Sequence, residues 1–153
     1  MRFIGDCIAK TDAKGRVFLP AAFRRVLETE GETKLVMRNG AFQPCLVLCP
    51  ESVWNADLDD LKGRLNRYDR KHEMILRRFV MDAETVELDG NGRFLIGKRK
   101  LEYAGIKSEV RFLAVDERIE VWDKETLDGL LAAEGSLGEE LEELLGGNNS
   151  DEN

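Results

Sequence analysis

The sequence predicts a small, mainly β domain with flanking helices and an internal two-fold repeat, on the strength of two pairs of matching segments. Asp12-Ala-Lys-Gly-Arg16-Val-Phe-Leu19 lies over Asp89-Gly-Asn-Gly-Arg93-Phe-Leu-Ile96 at an offset of 77 residues. Leu46-Val-Leu-Cys-Pro-Glu-Ser-Val-Trp54 lies over Ile119-Glu-Val-Trp-Asp-Lys-Glu-Thr-Leu127 at an offset of 73. The second copy is therefore four residues shorter between its anchors, as a trimmed loop around Arg38 to Pro44 would make it. Two copies are too few for a stacked solenoid and suit an internally two-fold unit. With 153 residues and 42% hydrophobic content, the chain can bury one core.

Each copy reads alike along its length. A short strand enters the Asp-x-x-Gly-Arg turn, and a β-branched and aromatic run, Val17 to Leu19 or Phe94 to Ile96, leaves it. Pro20 then suits a helix start, and Ala21 to Leu27 supplies a helix with Phe23 and Leu27 on one face. The second copy answers with Leu101 to Ala104, stopped by Gly105. Two more strands follow in each copy, Lys34 to Met37 with Cys45 to Leu48, and Glu109 to Ala114 with Arg118 to Val121. A closing helix comes next, announced by Pro50-Glu-Ser and by Asp123, an expected N-cap. These readings divide the chain into a first half over residues 6–53, a helical connector over 54–82, a second half over 83–126 and an acidic tail over 134–153.

The connector carries Leu58, Leu61, Leu65 and Tyr68, then Ile75, Leu76, Phe79 and Val80, at helical spacing. Core packing is the expected use of that stripe, with a seam between subunits as the alternative. The tail holds a short amphipathic piece, Leu137 to Leu145; Gly146 to Asn153 cannot bury apolar surface and is expected to be disordered.

Net charge is −7, yet its distribution leaves room for an anionic partner. Seven of the 30 acids fall between Glu134 and Asn153 with no base among them, so the remaining 23 acids balance the chain's 23 bases. Residues 1–25 hold six bases against two acids, residues 62–78 seven against two, and residues 93–100 four against none. Local potential, rather than total charge, attracts a polyanion. No apolar run is long enough to span a membrane, and the charged segment Met1 to Lys10 does not read as a secretory signal, so a cytoplasmic location is expected. Cys7, Cys45 and Cys49 form neither a disulfide framework nor a zinc pattern and read as buried thiols.

In the repeated turn, Gly15 and Gly92 supply a backbone conformation that costs other residues energy. Asp12 and Asp89 can accept hydrogen bonds from turn N–H groups. Arg16 and Arg93 then leave at fixed positions, where a guanidinium can grip phosphate or the edge of guanine. Lys14 adds charge at the first tip; Asn91 replaces it in the second. Competing chemistries fail on spacing. Asp89-Gly-Asn91 begins like a calcium loop, but its sixth position is Phe94 and its twelfth Lys100. His72 is the only histidine and sits in a charged helical stretch, and no glycine-rich phosphate loop of the Gly-x-x-x-x-Gly-Lys type occurs. Nothing clusters acid, base and nucleophile, so an enzyme is the least expected class, and no cofactor, metal or small-molecule substrate is expected.

Phe3-Ile-Gly5, the first turn with Leu19-Pro-Ala21 and Phe23-Arg24, and the second turn with Leu95-Ile96 and Glu102-Tyr-Ala-Gly-Ile106 together resemble the bacterial MraZ proteins, from about residue 3 to about residue 128. The resemblance implies a double-split β-barrel built from two swapped-hairpin halves of the SpoVT/AbrB type, both supplied by one chain, where the related AbrB and MazE proteins use two. It further implies a ring-like homo-oligomer, a nucleoid-associated transcriptional regulator that binds double-stranded DNA at repeated boxes upstream of the division and cell-wall gene cluster, commonly its own operon. The family's DNA-contacting Asp-x-x-x-Arg element falls here on Asp12 and Arg16 and on Asp89 and Arg93. Two positions depart from the family: Gly97 stands where Pro is usual, and Lys100 where an apolar residue is.

Sequence-specific DNA binding is therefore expected, with Arg16 and Lys14 as main contacts and Arg93 secondary. Arg24, Arg25 and the Lys98 to Lys100 cluster are weaker candidates for phosphate contact. The alternatives are a MazE-like antidote whose acidic tail wraps a protein partner, and a ring that only scaffolds.

Overall fold

The computed structural model describes residues 1–150, with side chains as far as residue 146. Eight strands and six helices follow in order among the described residues: β1 Asp6–Lys10, β2 Arg16–Phe18, α1 Ala21–Thr29, β3 Leu35–Asn39, β4 Leu46–Pro50, α2 Glu51–Arg64, α3 Arg70–Met81, β5 Glu84–Val86, β6 Arg93–Leu95, α4 Lys98–Ala104, β7 Glu109–Val115, β8 Arg118–Asp123, α5 Lys124–Ala132 and α6 Leu137–Ser150. No helix among these residues is long and apolar enough to cross a membrane.

The strands form a six-stranded sheet in the order β1-β7-β8-β4-β3-β5 and a two-stranded ribbon of β2 and β6. Advancing each strand of one half to its counterpart in the other reverses that order and leaves it unchanged, so the topology has a pseudo-two-fold axis. The axis passes between the facing residues Val47 and Glu120, where β4 meets β8, and between Val17 and Phe94, where β2 meets β6. All pairings are antiparallel. Each half also gives its first strand away: β1 pairs with β7 of the second half, and β5 pairs with β3 of the first. This exchange realises the interlocked, swapped-hairpin halves that the resemblance implies.

The repeated turn does not close a hairpin. The strand entering it and the strand leaving it lie in different sheets, and a chain that must cross between layers needs a tighter anchor than a hairpin ladder supplies. The main core fills the space between the layers, and a smaller cluster of Cys45, Val47, Trp122 and Leu127 packs apart from it. Val17 and Leu19 from the first half and Phe94 and Ile96 from the second meet Phe112, Leu46, Leu48 and Ile119 in the main core. Phe94 packs edge-on against Phe112 with ring centroids 6.2 Å apart, and Phe3 packs edge-on against Phe23 at 5.9 Å, the arrangement aromatic quadrupoles favour. Arg111 on β7 fixes the donated strand at its edge, donating to both carboxylate oxygens of Asp6 at 2.8 and 2.6 Å and to Asp128 on α5 at 2.8 Å. Burial pushes the Cys45 thiol up to about 12 and the Cys49 thiol up to about 11, in keeping with thiols that act as small apolar side chains.

The helices follow their sequence signals with three corrections. The connector is two helices rather than one: Asp69 caps α3, its side chain accepting from the N–H groups of Lys71 and His72 at 2.8 and 3.3 Å. The apolar stripe expected in the core faces outward over α3, which buries none of its residues; Met74, Ile75 and Met81 are exposed, Leu76 is half-buried, and Phe79 stacks on Trp54 at 5.3 Å. The tail is helical from Leu137 to Ser150 where disorder was expected from Gly146; Asp151 to Asn153 lie outside the described residues. Asp123 caps α5 as expected, its carboxylate accepting from Thr126 N–H at 3.2 Å.

Truncating Phe94 to Ala removes a fully buried ring at the joint between ribbon and sheet. A loss of about 3–5 kcal/mol in unfolding free energy is expected in urea titration, against less than about 0.5 kcal/mol for Phe18→Ala on the ribbon's outer face.

Candidate nucleic-acid interface

The two turns are built identically. In the first, the Asp12 N–H donates to the Arg16 carbonyl at 2.9 Å and the Gly15 N–H to the Asp12 carbonyl at 3.0 Å. In the second, Asp89 donates to Arg93 at 2.8 Å and Gly92 to Asp89 at 3.0 Å. Gly15 and Gly92 have φ of +88° and +82°. At Gly15 a β-carbon would also stand 2.6 Å from the Ile96 carbonyl oxygen, whereas at Gly92 it would meet the movable guanidinium of Arg24 at 2.8 Å. That close approach at Gly15 has a purpose, because the Gly15 carbonyl accepts from Ile96 N–H at 2.9 Å and the Gly92 carbonyl accepts from Leu19 N–H at 2.9 Å. The turns of the two halves thus bind each other's outgoing strands.

Each aspartate is used on both oxygens. Asp12 Oδ1 accepts from the N–H groups of Lys14 and Arg16, both at 2.9 Å, and Oδ2 from Arg16 Nε at 2.7 Å. Asp89 Oδ1 accepts from Asn91 and Arg93 N–H at 2.9 Å, and Oδ2 from Arg93 Nε at 2.9 Å. The backbone N–H of Arg16 is the main reason Asp12 is held below the usual carboxylate range, and that of Arg93 does the same for Asp89. With Nε engaged, the Nη groups of both arginines make no hydrogen bond to the described residues. Each guanidinium therefore offers an oriented pair of N–H donors, a geometry that suits a phosphate or the O6/N7 edge of guanine.

Strand pairing brings the two arginines onto one surface. Arg16 faces Leu95 and Phe18 faces Arg93 across the ribbon, with Val17 and Phe94 turned into the core between them. Four side chains thus share the outer face. Sequence reasoning singled out two of them and missed Phe18 and Leu95, though the alternation along Arg16-Val-Phe18 and Arg93-Phe-Leu95 carried the signal. Both are apolar yet 53% and 54% exposed, and the Arg93 guanidinium lies over the Phe18 ring at 5.8 Å. Lys14 stands exposed at the first tip and Asn91 at the second.

The remaining basic candidates separate. Arg24 is half-buried, donates Nε to the Leu19 carbonyl at 3.1 Å and rests against Gly92, so it braces the second turn from the first half. Arg25, Lys98 and Arg99 are exposed. Lys100 is not available to a partner: it is 7% exposed, and its Nζ donates to Asn39 Oδ1 at 3.3 Å and to the carbonyl of Asp82, the C-cap of α3. A cation at a helix C-terminus is favoured by the helix dipole, which accounts for a buried lysine at this position. α4 starts directly after Gly97, which takes the capping place that Pro20 holds before α1.

The family described as "MraZ protein, putative antitoxin-like" matches this chain twice, over residues 3–78 and 79–146. The chain belongs to the MraZ family. Its MraZ relatives include a protein of Phocaeicola vulgatus, 51% identical over 98% of this chain and 97% of its own length, one of Bacteroides fragilis, 52% identical over 95% and 92%, and one of Bacteroides thetaiotaomicron, 45% identical over 97% and 96%; each is named as a transcriptional regulator. The two family matches meet between residues 78 and 79, within α3, so that each covers one copy of the internal repeat.

Two measurements test the turns. Because Asp12 and Asp89 have depressed folded-state pKa values, their contribution is present above the unfolded value and lost as pH falls through the folded one. Carboxyl resonances followed by NMR are expected to titrate below about 3.9, and Asp12→Asn is expected to abolish the chemical-shift coupling to Arg16 Hε. Gly15→Ala is expected to destabilise by about 1–3 kcal/mol, whereas Gly63→Ala, inside α2 with open space around it, is expected to stabilise by up to about 1 kcal/mol; thermal unfolding reads both.

Proposed function

We propose that this chain is a non-enzymatic, sequence-specific regulator of transcription that binds double-stranded DNA through the β2–β6 ribbon, with Arg16 and Lys14 as main contacts, Arg93 secondary, and Arg24 acting mostly as a brace. The observation that carries this reading is the twice-built Asp–Arg pair: two guanidinium groups oriented from behind, on one exposed ribbon, with their Nη donors free. A structural ion pair would need no such repetition, since exposed pairs stabilise a fold by about 0–1 kcal/mol. The relatives' names support the regulatory role.

In this reading the halves span residues 6–53 and 83–126, joined by the connector over 54–82. The protein acts in the cytoplasm on the nucleoid, as a ring-like homo-oligomer at repeated boxes upstream of the division and cell-wall gene cluster, including its own promoter. The outward apolar face of α3 supports assembly, because Met74, Ile75 and Met81 stay exposed among the described residues. A ring multiplies modest contacts through effective concentration, so that repeated boxes become readable.

A gel shift on the upstream region of its own gene tests the proposal. Arg16→Ala is expected to weaken binding by about 1–3 kcal/mol and Arg93→Ala by less; unchanged affinity at matched salt rejects the assignment. Deleting residues 134–153 is expected to leave promoter binding in place, whereas an antidote would lose its protein partner.

A further inference from the structure

Phe18 and Leu95 are large and apolar although neither fills the core. They lie on the outer face of a two-stranded ribbon, each more than half exposed, while their chain neighbours Val17, Leu19, Phe94 and Ile96 fill the core. The ribbon register sets them on one diagonal of a four-residue face, with Arg16 and Arg93 on the other. Each arginine therefore has an apolar side chain directly across the ladder, at the spacing where side chains touch the same object.

An antiparallel two-stranded ribbon is one of the few elements that fit the major groove of B-DNA, about 12 Å wide. Charge complementarity favours that occupant over a protein surface. Asp12 and Asp89 are each paired with their own arginine, and Lys14 at the tip with Arg25, Lys98 and Arg99 on the following helices remain exposed, against the exposed carboxylates Glu84 and Glu87 beside Leu95. In that groove the only apolar group on a base edge is the C5-methyl of thymine.

We propose that Phe18 and Leu95 are specificity-determining residues that read thymine methyl groups next to the bases addressed by Arg16 and Arg93, an inference that rests on the DNA-binding reading above. The ribbon backbone is two-fold, but its reading face is not: a ring stands at one apolar position and a branched aliphatic chain at the other, and Lys14 answers Asn91. The bound site is consequently read in one direction.

Deoxyuridine in place of thymidine removes the methyl and nothing else, so the test is a fluorescence-anisotropy titration of the intact chain on its own upstream region, with each thymidine replaced in turn. Wild type is expected to lose about fourfold in affinity at each methyl contacted. Phe18→Ala is expected to erase that sensitivity at one set of positions and Leu95→Ala at another, with the salt slope of binding unchanged. Both side chains are exposed, so an unchanged melting temperature verifies the fold. Wild-type binding that prefers the upstream region yet ignores every replacement overturns this inference alone, as does a Phe18→Ala protein that keeps the full wild-type pattern or changes only its oligomeric mass by light scattering. Wild type with no preference for that region over random duplex overturns the DNA-binding reading itself.

Discussion

The reciprocal bonding of the two turns, Gly15 carbonyl to Ile96 N–H and Gly92 carbonyl to Leu19 N–H, is the constraint on which the rest of the structure depends. It holds β2 against β6 in the one register that turns Val17 and Phe94 inward together. Without it the ribbon would have no second strand, since neither half contains a partner for its own β2 or β6. The donated strands enforce the same dependence on the sheet: among the described residues β1 finds its ladder on β7, more than a hundred residues away in sequence for the Asp6–Leu113 pair. Neither half can therefore bury its apolar surface alone. Topologies dominated by such distant pairings close large loops before gaining contacts and fold slowly, and the paired turns are what makes closure worthwhile.

Given that constraint, the Asp–Arg pairs are better understood as positioning devices than as stabilisers. Each is too exposed to contribute much to folding through Coulomb attraction. What each does is remove rotational freedom from a long side chain before any partner arrives, so less conformational entropy is lost when one does. The carboxylate can do this because three donors converge on it, two of them main-chain N–H groups that the turn holds in place. Glycine's positive φ, aspartate's acceptors and arginine's orientation are thus successive steps of one local mechanism, and removing the first disables the last.

Much of this was legible in the sequence because it is local. The turn chemistry of Asp12 to Arg16, the cap at Asp123 and the stop at Gly105 all depend on residues a few positions apart, and the repeat that announces the two-fold is visible by direct comparison of segments. What could not be read depends on what lies opposite. Periodicity says that Ile75 and Phe79 share a face of α3; whether that face is covered depends on neighbours from elsewhere in the chain, and here there are few. Lys100 looked like one of a basic cluster until the C-terminus of α3 was found above it. The strand exchange was implied by family resemblance and could not come from patterning, because a strand that pairs with its own half and one that pairs with the other alternate in the same way.

Duplication within one chain also changes what a two-fold scaffold can do. A homodimer built on this topology would present two identical turns, and any change to one would appear in both. Here the copies have diverged while the main-chain geometry has not: Lys14 has Asn91 as its counterpart, Phe18 matches Leu95, and Arg24, which braces Gly92, has Leu101 as its counterpart beside Gly15. The core-facing positions between them keep their apolar character, Val17 with Phe94 and Leu19 with Ile96. Packing therefore constrains the inner face to symmetry and leaves the outer face free to depart from it, so a scaffold with a two-fold axis can carry a surface that distinguishes one direction along its partner from the other.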